Sequence, residues 1–302
     1  MQKGLAYLFP AFALKYTGKE VDLIRRSGLV DLETRITDSG RTLGLDIEDF
    51  DISENNYLDA ELENQVLSYI FSCSFADVLR QKEGSPEMVS GFSMGIYAAL
   101  YYAGAIDFRT GLFLVRDFYT TVRRILSGKN YLMASVVGFD RSELSRFSAE
   151  YGSVETVIQN GTHSFVLSGE VPEMEALLKS LQENGAIHIS PFQLASPYHA
   201  KILRNHSADF EKIVNRYSIK EAALPVFSMI DLKRKQSAEE LQKELVNNVS
   251  RPLNFYESIR AMNRHGINKF VEVGADKALL KSSKFIEGDF EFIAIARGKY
   301  QI

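Results

Sequence analysis

The sequence of 302 residues has a single cysteine, Cys73, and no tryptophan. One cysteine cannot form an internal disulfide, which excludes a disulfide-stabilised extracellular domain and a cysteine-based zinc site. The chain also has no run of about 18 apolar residues, the length that a membrane-spanning helix needs. The apolar run before Pro10 is too short for a signal peptide. These absences predict a cytoplasmic protein that does not enter membranes.

Neither sign of charge is in large excess: the chain has 35 basic and 39 acidic residues, and its net charge is −4. Nucleic acids and anionic membranes attract strongly basic proteins, so neither is expected as a partner. Hydrophobic residues make up 45% of the chain and charged residues 25%. These ordinary values exclude a disordered or coiled-coil chain and predict a globular protein of two average domains, or one large domain with an insertion.

Short apolar runs alternate with helical patterns, which predicts an α/β protein in two parts. The middle of the chain has the order strand, helix, strand, strand, helix, strand, at residues 132–137, 142–151, 156–159, 164–168, 171–184 and 186–191. That order is typical of a ferredoxin-like fold. We therefore predict a small ferredoxin-like subdomain at 128–196, inserted into a larger α/β body formed by residues 1–127 and 197–302.

The sequence Gly-Phe-Ser-Met-Gly at residues 91–95 matches the pattern Gly-x-Ser-x-Gly. It follows a predicted strand at 86–90 and opens a predicted helix at 96–103, which is the context of a nucleophile elbow. In such an elbow the serine lies at a helix N-terminus, where free backbone N–H groups and the helix dipole favour an oxyanion. The pattern alone could arise by chance in a turn, but its context predicts Ser93 as a nucleophile.

A serine nucleophile needs a base, and the chain offers five histidines: His163, His188, His199, His206 and His265. His188 lies in an alternating strand pattern, and His265 precedes the helix-ending Gly266, so both are expected on the surface or in packing roles. His199 lies in a loop stiffened by Pro197, just before a predicted helix. Spacing favours His199 and leaves His206, about two helical turns later, as the alternative.

Segments spread over nearly the whole chain resemble one known group of enzymes. They are Leu-Phe-Pro-Ala-Phe-Ala at 8–13, Gly-Phe-Ser-Met-Gly-Ile-Tyr at 91–97, Asn160 with Val-Leu-Ser-Gly at 166–169, Ser-Pro-Tyr-His at 196–199, and the runs at 225–228, 249–253 and 270–274. Their order and spacing resemble the malonyl-CoA:acyl-carrier-protein transacylases and the related acyltransferases and acyl hydrolases of polyketide synthases. In this family the segment at 196–199 carries the catalytic histidine, which favours His199 over His206.

The resemblance implies an α/β-hydrolase-like body with the inserted ferredoxin-like subdomain, and ping-pong acyl transfer through a serine ester. Ser93 would attack a thioester carbonyl on a phosphopantetheine arm, with His199 as the base. The backbone N–H groups of Phe12 and Met94 would form the oxyanion hole, and the backbone carbonyl of Asn248 would orient the histidine.

The resemblance also implies the substrates and the partner. CoA or phosphopantetheine thioesters would be substrates, acyl carrier protein would be the partner, and neither a metal nor a resident cofactor is expected. Since carrier proteins of related systems are acidic, a local basic patch is predicted. Its candidates are Arg123, Arg124, Lys129, Lys201 and Arg204.

One important residue of the family is replaced. Phe118 stands where the family has an arginine that pairs with the free carboxylate of malonyl. A phenyl ring offers a carboxylate no partner, and burying an unpaired charge is costly. Arg116 is two residues away and would face another side of a helix. Together with Phe12 and Phe92, which also replace polar residues of the family, Phe118 predicts an apolar acyl pocket that also includes Asn160.

These features favour an acyltransferase for a non-dicarboxylic acyl group, such as acetyl, a longer chain or an aryl acid, in polyketide or fatty-acid biosynthesis. One alternative is a proofreading hydrolase of acyl-carrier-protein thioesters that uses the same Ser-His pair. A malonyltransferase with a relocated cation is a further alternative. A scaffold without catalytic activity is disfavoured because Ser93 and His199 are both present.

Overall fold

The computed structural model describes residues 4–13, 18–48, 60–81, 85–192 and 196–297. Its strands are β1 (Gly4–Phe9), β2 (Met88–Gly91), β3 (Tyr131–Val137), β4 (Glu155–Gly161), β5 (Ser164–Glu170), β6 (His188–Pro191), β7 (Val226–Phe227), β8 (Arg234–Lys235), β9 (Leu253–Asn254), β10 (Ile267–Glu272) and β11 (Glu291–Ala294). Its helices are α1 (Lys19–Ser27), α2 (Leu32–Leu43), α3 (Glu61–Arg80), α4 (Gly95–Tyr102), α5 (Phe108–Ile125), α6 (Arg141–Ser148), α7 (Val171–Glu183), α8 (Lys201–Arg204), α9 (Ser207–Val214), α10 (Ala238–Asn248), α11 (Phe255–Arg264) and α12 (Ala278–Ser283), followed by a 3-10 turn at Ile295–Arg297.

The larger sheet has the strand order β11-β10-β1-β2-β7-β8, and every pair in it is parallel except β7 with β8. Its central strand β1 is buried on both faces, as its apolar sequence predicts for a parallel sheet covered on both sides. Phe9 and Gly91 are in register at the carboxyl ends of β1 and β2. The loops that follow these two strands are therefore neighbours, at the sheet edge where α/β proteins place their sites.

The smaller sheet has the order β6-β3-β5-β4-β9. Strands β3 to β6 are antiparallel and, with α6 and α7, reproduce the predicted ferredoxin-like order. One face packs under α6 and α7, whereas Val157 and Val166 on the other face share a core with Leu8 and Phe255 of the body. The short strand β9, which sequence analysis did not predict, pairs in parallel with β4. We propose to keep 128–196 as the limits of the small subdomain.

Two predicted elements differ from the structure for local reasons. The sequence predicts one helix near 197–216, whereas the structure has two short helices, α8 and α9. His199 has a left-handed backbone with φ of 68°, which cannot continue into a right-handed helix, so α8 begins only after it. The sequence also predicts a strand at 224–229, but β7 ends at Phe227, because the Ser228 hydroxyl accepts hydrogen bonds from the backbone N–H groups of Ile230 and Asp231 and turns the chain.

Apolar residues at helix-like spacing predict a helix over 58–82. Helix α3 is described from Glu61 to Arg80, and residues 58, 59 and 82 of that prediction lie outside the described residues. Residues 46–51 form an acidic run that predicts a surface loop, and the structure describes this run only as far as residue 48. Among the described residues, no helix is both long and apolar enough to cross a membrane.

Candidate active site

Ser93 lies in a tight turn between β2 and α4, with a left-handed φ of 56°. Such a conformation is uncommon for a residue with a side chain and occurs often at functional sites. The turn depends on the two flanking glycines. A Cβ atom on Gly95 would overlap the carbonyl oxygen of Phe9, and one on Gly91 would overlap the backbone of Ile96. The motif therefore folds as the predicted elbow, pressed against the end of β1.

Gly95→Ala is expected to lower the free energy of unfolding by about 3 kcal/mol or more, because the backbone of β1 must shift to admit the methyl group. Chemical denaturation measures the change. Gly152→Ala is the control: a Cβ atom there meets no neighbour within 4 Å, so a change of less than about 0.5 kcal/mol is expected. Equal stabilities of the two variants would contradict the steric argument.

The structure brings Ser93 and His199 together, with the serine Oγ 2.9 Å from the histidine Nε2. His199 is buried, and its Nδ1 lies 3.2 Å from the carbonyl oxygen of Arg251. A carbonyl can only accept, so Nδ1 must carry the hydrogen and Nε2 must be the acceptor in the neutral ring. The imidazole is thus in the tautomer that can take a proton from Ser93.

The backbone carbonyl predicted to orient the histidine, that of Asn248, is joined by a second one. Hydrogen bonds to the carbonyls of Asn248 and of Arg251, three residues further on, both raise the pKa of His199, and the Nδ1–H donates to the Arg251 oxygen. The larger effect on the ring is burial, which lowers the pKa of His199 to about 4. The histidine is therefore neutral, and able to act as a base, throughout the neutral range.

The pH dependence of acylation follows from this pKa. We expect the rate of Ser93 acylation to stay level from about pH 8 to pH 5 and to fall about tenfold per unit below about pH 4, because only the neutral imidazole accepts the proton. Stopped-flow acylation at each pH measures this, with circular dichroism as the check that the protein remains folded. A midpoint near 6.5, the ordinary pKa of histidine, would contradict the effect of burial.

A narrow cavity of about 30 Å³ opens beside Ser93. Its lining includes Phe118, a predicted pocket residue, Phe12 and Met94, the two predicted oxyanion-hole residues, and also Gln65, Tyr198 and Asn248. Phe118 is buried and stacks on Phe210, with ring centres 5.5 Å apart, so its ring is fixed in place. The cavity has an apolar wall at the position where the sequence lacks the arginine.

Two predicted pocket residues, Phe92 and Asn160, are not among the described residues that line this cavity. Phe92 packs edge-on against Phe255 at 5.8 Å, in the core shared with the small sheet. It precedes Ser93 in the tight turn, which directs the two side chains to different sides. Asn160 lies on β4, and its buried Oδ1 has no hydrogen-bond partner among the described residues. The structure thus corrects the predicted pocket at these two positions.

The alternative bases and cations have other contacts. The His206 Nδ1 lies 3.3 Å from Asp209, and that of His163 lies 3.1 Å from Thr162. Arg116, the nearest candidate for a relocated cation, forms an ion pair with the neighbouring Asp117 at 2.8 Å. The contacts of the other histidines favour His199 as the partner of Ser93. The ion pair of Arg116 with Asp117 disfavours it as a replacement for the missing arginine.

The predicted basic patch is partly neutralised. Arg204 pairs with Glu155 at 2.6 Å, and Arg124 lies 3.7 Å from Asp209. Three other candidates, Arg123, Lys129 and Lys201, are exposed. In the described part of the chain, no three His, Cys, Asp or Glu side chains are placed to hold a metal ion.

A group of three polar side chains beside the cavity could not be predicted from the sequence. The Tyr198 hydroxyl donates to the Glu61 carboxylate at 3.0 Å, and the Gln65 amide donates to both, at 3.0 Å to the tyrosine and 3.2 Å to the glutamate. Glu61 and Gln65 lie one turn apart on α3, whereas Tyr198 precedes His199 in the loop. The i, i+4 spacing of the two polar residues was the available signal, but the sequence does not reveal that α3 faces this loop.

Comparison with known proteins gives consistent matches over nearly the whole chain, although no family model matches it. The chain is 26% identical to the malonyl CoA-acyl carrier protein transacylase of Synechocystis sp., over 91% of this chain and 90% of that protein. It is 23% identical to the protein of that name from Bacillus subtilis, over 97% and 93%.

Solved structures match in fold. A malonyl-transacylase bound to a type II polyketide-synthase acyl-carrier protein aligns with a TM-score of 0.87 at 22% identity, over 96% of this chain and 94% of that one. The Synechocystis sp. malonyl-CoA:ACP transacylase aligns with a TM-score of 0.85 at 24% identity, over 96% of both chains.

Proposed function

We propose that this chain, a member of the malonyl-CoA:acyl-carrier-protein transacylase family, moves a short uncharged acyl group between CoA and acyl carrier protein through an ester on Ser93. The observation that carries the proposal is the 2.9 Å contact between the Ser93 Oγ and the acceptor nitrogen of a buried, neutral His199. That pair, at a helix N-terminus beside a small cavity, has the chemistry that thioester acyl transfer needs.

The reaction has two symmetrical halves. As the Ser93 Oγ attacks the thioester carbonyl, its proton passes to the His199 Nε2, and the carbonyl electrons move onto the oxygen. Collapse of this intermediate breaks the carbon–sulfur bond, and the imidazolium returns its proton to the departing thiolate. A second thiol then attacks the serine ester by the same steps in reverse order.

The oxyanion hole is assigned to the backbone N–H groups of Met94 and Phe12. Both residues line the cavity with Ser93, and Met94 is the N-cap of α4, where the helix dipole favours negative charge. The N–H group of the residue after the nucleophile is the usual first donor in a nucleophile elbow. The Arg251 and Asn248 carbonyls would stabilise the imidazolium as it forms.

The size and lining of the cavity support a short, uncharged acyl group. Its volume of about 30 Å³ compares with the roughly 10–15 Å³ that one water needs, so acetyl-sized groups fit without rearrangement. A long chain or an aryl acid would have to displace the fixed Phe118 ring. The terminal carboxylate of malonyl would meet that ring instead of a cation.

Carrier protein is the proposed acceptor. One structural relative is a complex of a malonyl-transacylase with its acyl-carrier protein. Here Arg123 and Lys129 are exposed near the C-terminus of α5 and just after it, where they can meet an acidic partner.

The experiment incubates the protein with acetyl-CoA, with and without holo acyl carrier protein, and follows acetyl-carrier protein and free acetate. Transfer predicts an acetylated enzyme that is stable alone and is discharged onto the added carrier protein. Rapid release of acetate without an acceptor would contradict transfer and indicate the hydrolase alternative. The absence of an acylated enzyme together with the absence of released acetate would contradict both.

A further inference from the structure

In the hydrogen bonds among Glu61, Gln65 and Tyr198, the glutamine donates to both partners and the glutamate accepts from both. We call these three side chains the polar corner of the cavity. The Glu61 Oε1 accepts from the Tyr198 hydroxyl at 3.0 Å and from the Gln65 Nε2 at 3.2 Å, and the tyrosine oxygen accepts from the same Nε2 at 3.0 Å. A carboxylate can only accept, so the glutamate fixes which way the amide and the hydroxyl point.

The hydrogens of Gln65 and Tyr198 that already have acceptors determine which hydrogen bonds the polar corner can still form with a ligand. The two amide hydrogens of Gln65 are used by Glu61 and Tyr198, and the single hydroxyl hydrogen of Tyr198 is used by Glu61. Gln65 and Tyr198 line the cavity together with Ser93. What the glutamine still has for a ligand is its carbonyl oxygen, which is an acceptor.

The negative charge of Glu61 in the polar corner also favours a ligand that donates a hydrogen bond. Glu61 is only 3% exposed, and burial raises its pKa, while the hydrogen bond from Tyr198 and the positive charge of Arg123 lower it. Negative charge in a poorly solvated place acts over longer distances than it does in water. It repels an acyl group that carries a carboxylate and attracts one that carries a donor hydrogen.

We propose that the polar corner makes Gln65 and Glu61 determinants of specificity, which select a short acyl group that carries a hydroxyl or amino hydrogen-bond donor. Hydroxyacetyl is the smallest such group and adds one oxygen to acetyl. The inference rests on the proposed acylation of Ser93. In this proposal Phe118 disfavours acyl groups with a carboxylate, and the polar corner additionally favours acyl groups with a hydrogen-bond donor.

The test compares the rates at which acetyl-CoA and hydroxyacetyl-CoA acylate Ser93 in the wild-type protein, measured by intact mass in single-turnover reactions. We expect hydroxyacetyl to react roughly five- to tenfold faster, the effect of about one net hydrogen bond. If acetyl acylates Ser93 but hydroxyacetyl is no faster, this inference is overturned and the proposed function stands. If neither acylates Ser93, the proposed function fails first.

Two variants locate the effect in the polar corner. Gln65→Met keeps the length of the side chain but removes the carbonyl acceptor, so the ratio of hydroxyacetyl to acetyl rates should fall to about one. Glu61→Gln replaces the fixed acceptor with an amide that can also donate, which frees Gln65 to turn its own amide toward the cavity. The ratio should fall severalfold, and malonyl-CoA should gain relative to acetyl-CoA.

Glu63→Gln is the matched control, because it removes the same charge from the first turn of α3 outside the polar corner. Its ratio should remain that of the wild type. A purely structural role for Glu61 and Gln65 would slow all acyl groups equally and leave the ratios unchanged, which would overturn the inference. So would an equal change of ratio in the Glu63 variant.

Discussion

Ser93→Ala is expected to abolish the acyl-enzyme, with acylation slowed on the order of 10⁵-fold or more, as for loss of the nucleophile in other serine enzymes. The reason is chemical, since Oγ forms the ester bond. Intact mass spectrometry after incubation with acetyl-CoA measures the result as the loss of one added acetyl group. An acetylated Ser93→Ala protein would mean that the nucleophile lies elsewhere.

The base is tested in the same assay by a pair of histidine variants. His199→Ala should lose nearly all acylation, because it removes the proton acceptor 2.9 Å from Oγ. His206→Ala should keep it, because the His206 ring is engaged with Asp209. Equal losses in the two variants would remove the support for His199.

The second large effect is expected in the preference of the enzyme for acetyl-CoA over malonyl-CoA, which we attribute to Phe118. Wild-type protein should acylate with acetyl-CoA on the order of a hundredfold faster than with malonyl-CoA, because malonyl must bury its carboxylate without a partner. Phe118→Arg should narrow or invert this ratio by supplying a guanidinium fork. Competition between the two thioesters, followed by intact mass, measures the ratio directly.

Phe118→Leu is the control for lost packing. It removes the stacking on Phe210 and the contact with Tyr97 without adding a cation. Its preference for acetyl should therefore persist, even if the rate falls. Wild-type protein that prefers malonyl-CoA would refute the argument from Phe118 and point to another cation for the carboxylate.

The elbow and the small subdomain could be predicted because their signals are local. Gly-x-Ser-x-Gly requires glycine at both positions for steric reasons that hold wherever a strand meets a helix in this way. The order of the ferredoxin-like elements is also set by periodicity over short stretches. The family resemblance then supplied what these local signals left open, namely the choice of His199.

The polar corner and the position of Phe92 could not be predicted, because they depend on how distant segments meet. Glu61 and Tyr198 are 137 residues apart and touch only because α3 packs beside the loop before α8. Phe92 neighbours Ser93 in sequence, yet the turn sends its ring toward Phe255. The Arg251 carbonyl likewise accepts from the His199 ring beside that of Asn248 only because the chain turns at the end of α10.

The pairing of β9 with β4 also bears on how the molecule could be divided. A fragment containing only residues 128–196 would leave one edge of β4 open, because Leu253 and Asn254, which pair there with Ile158 and Gln159, would be missing. The same cut would uncover Val157 and Val166, which now pack against the body. An apolar face beside a free edge strand is a template for aggregation. The insertion is thus self-contained in topology but dependent on the rest of the chain for its solubility.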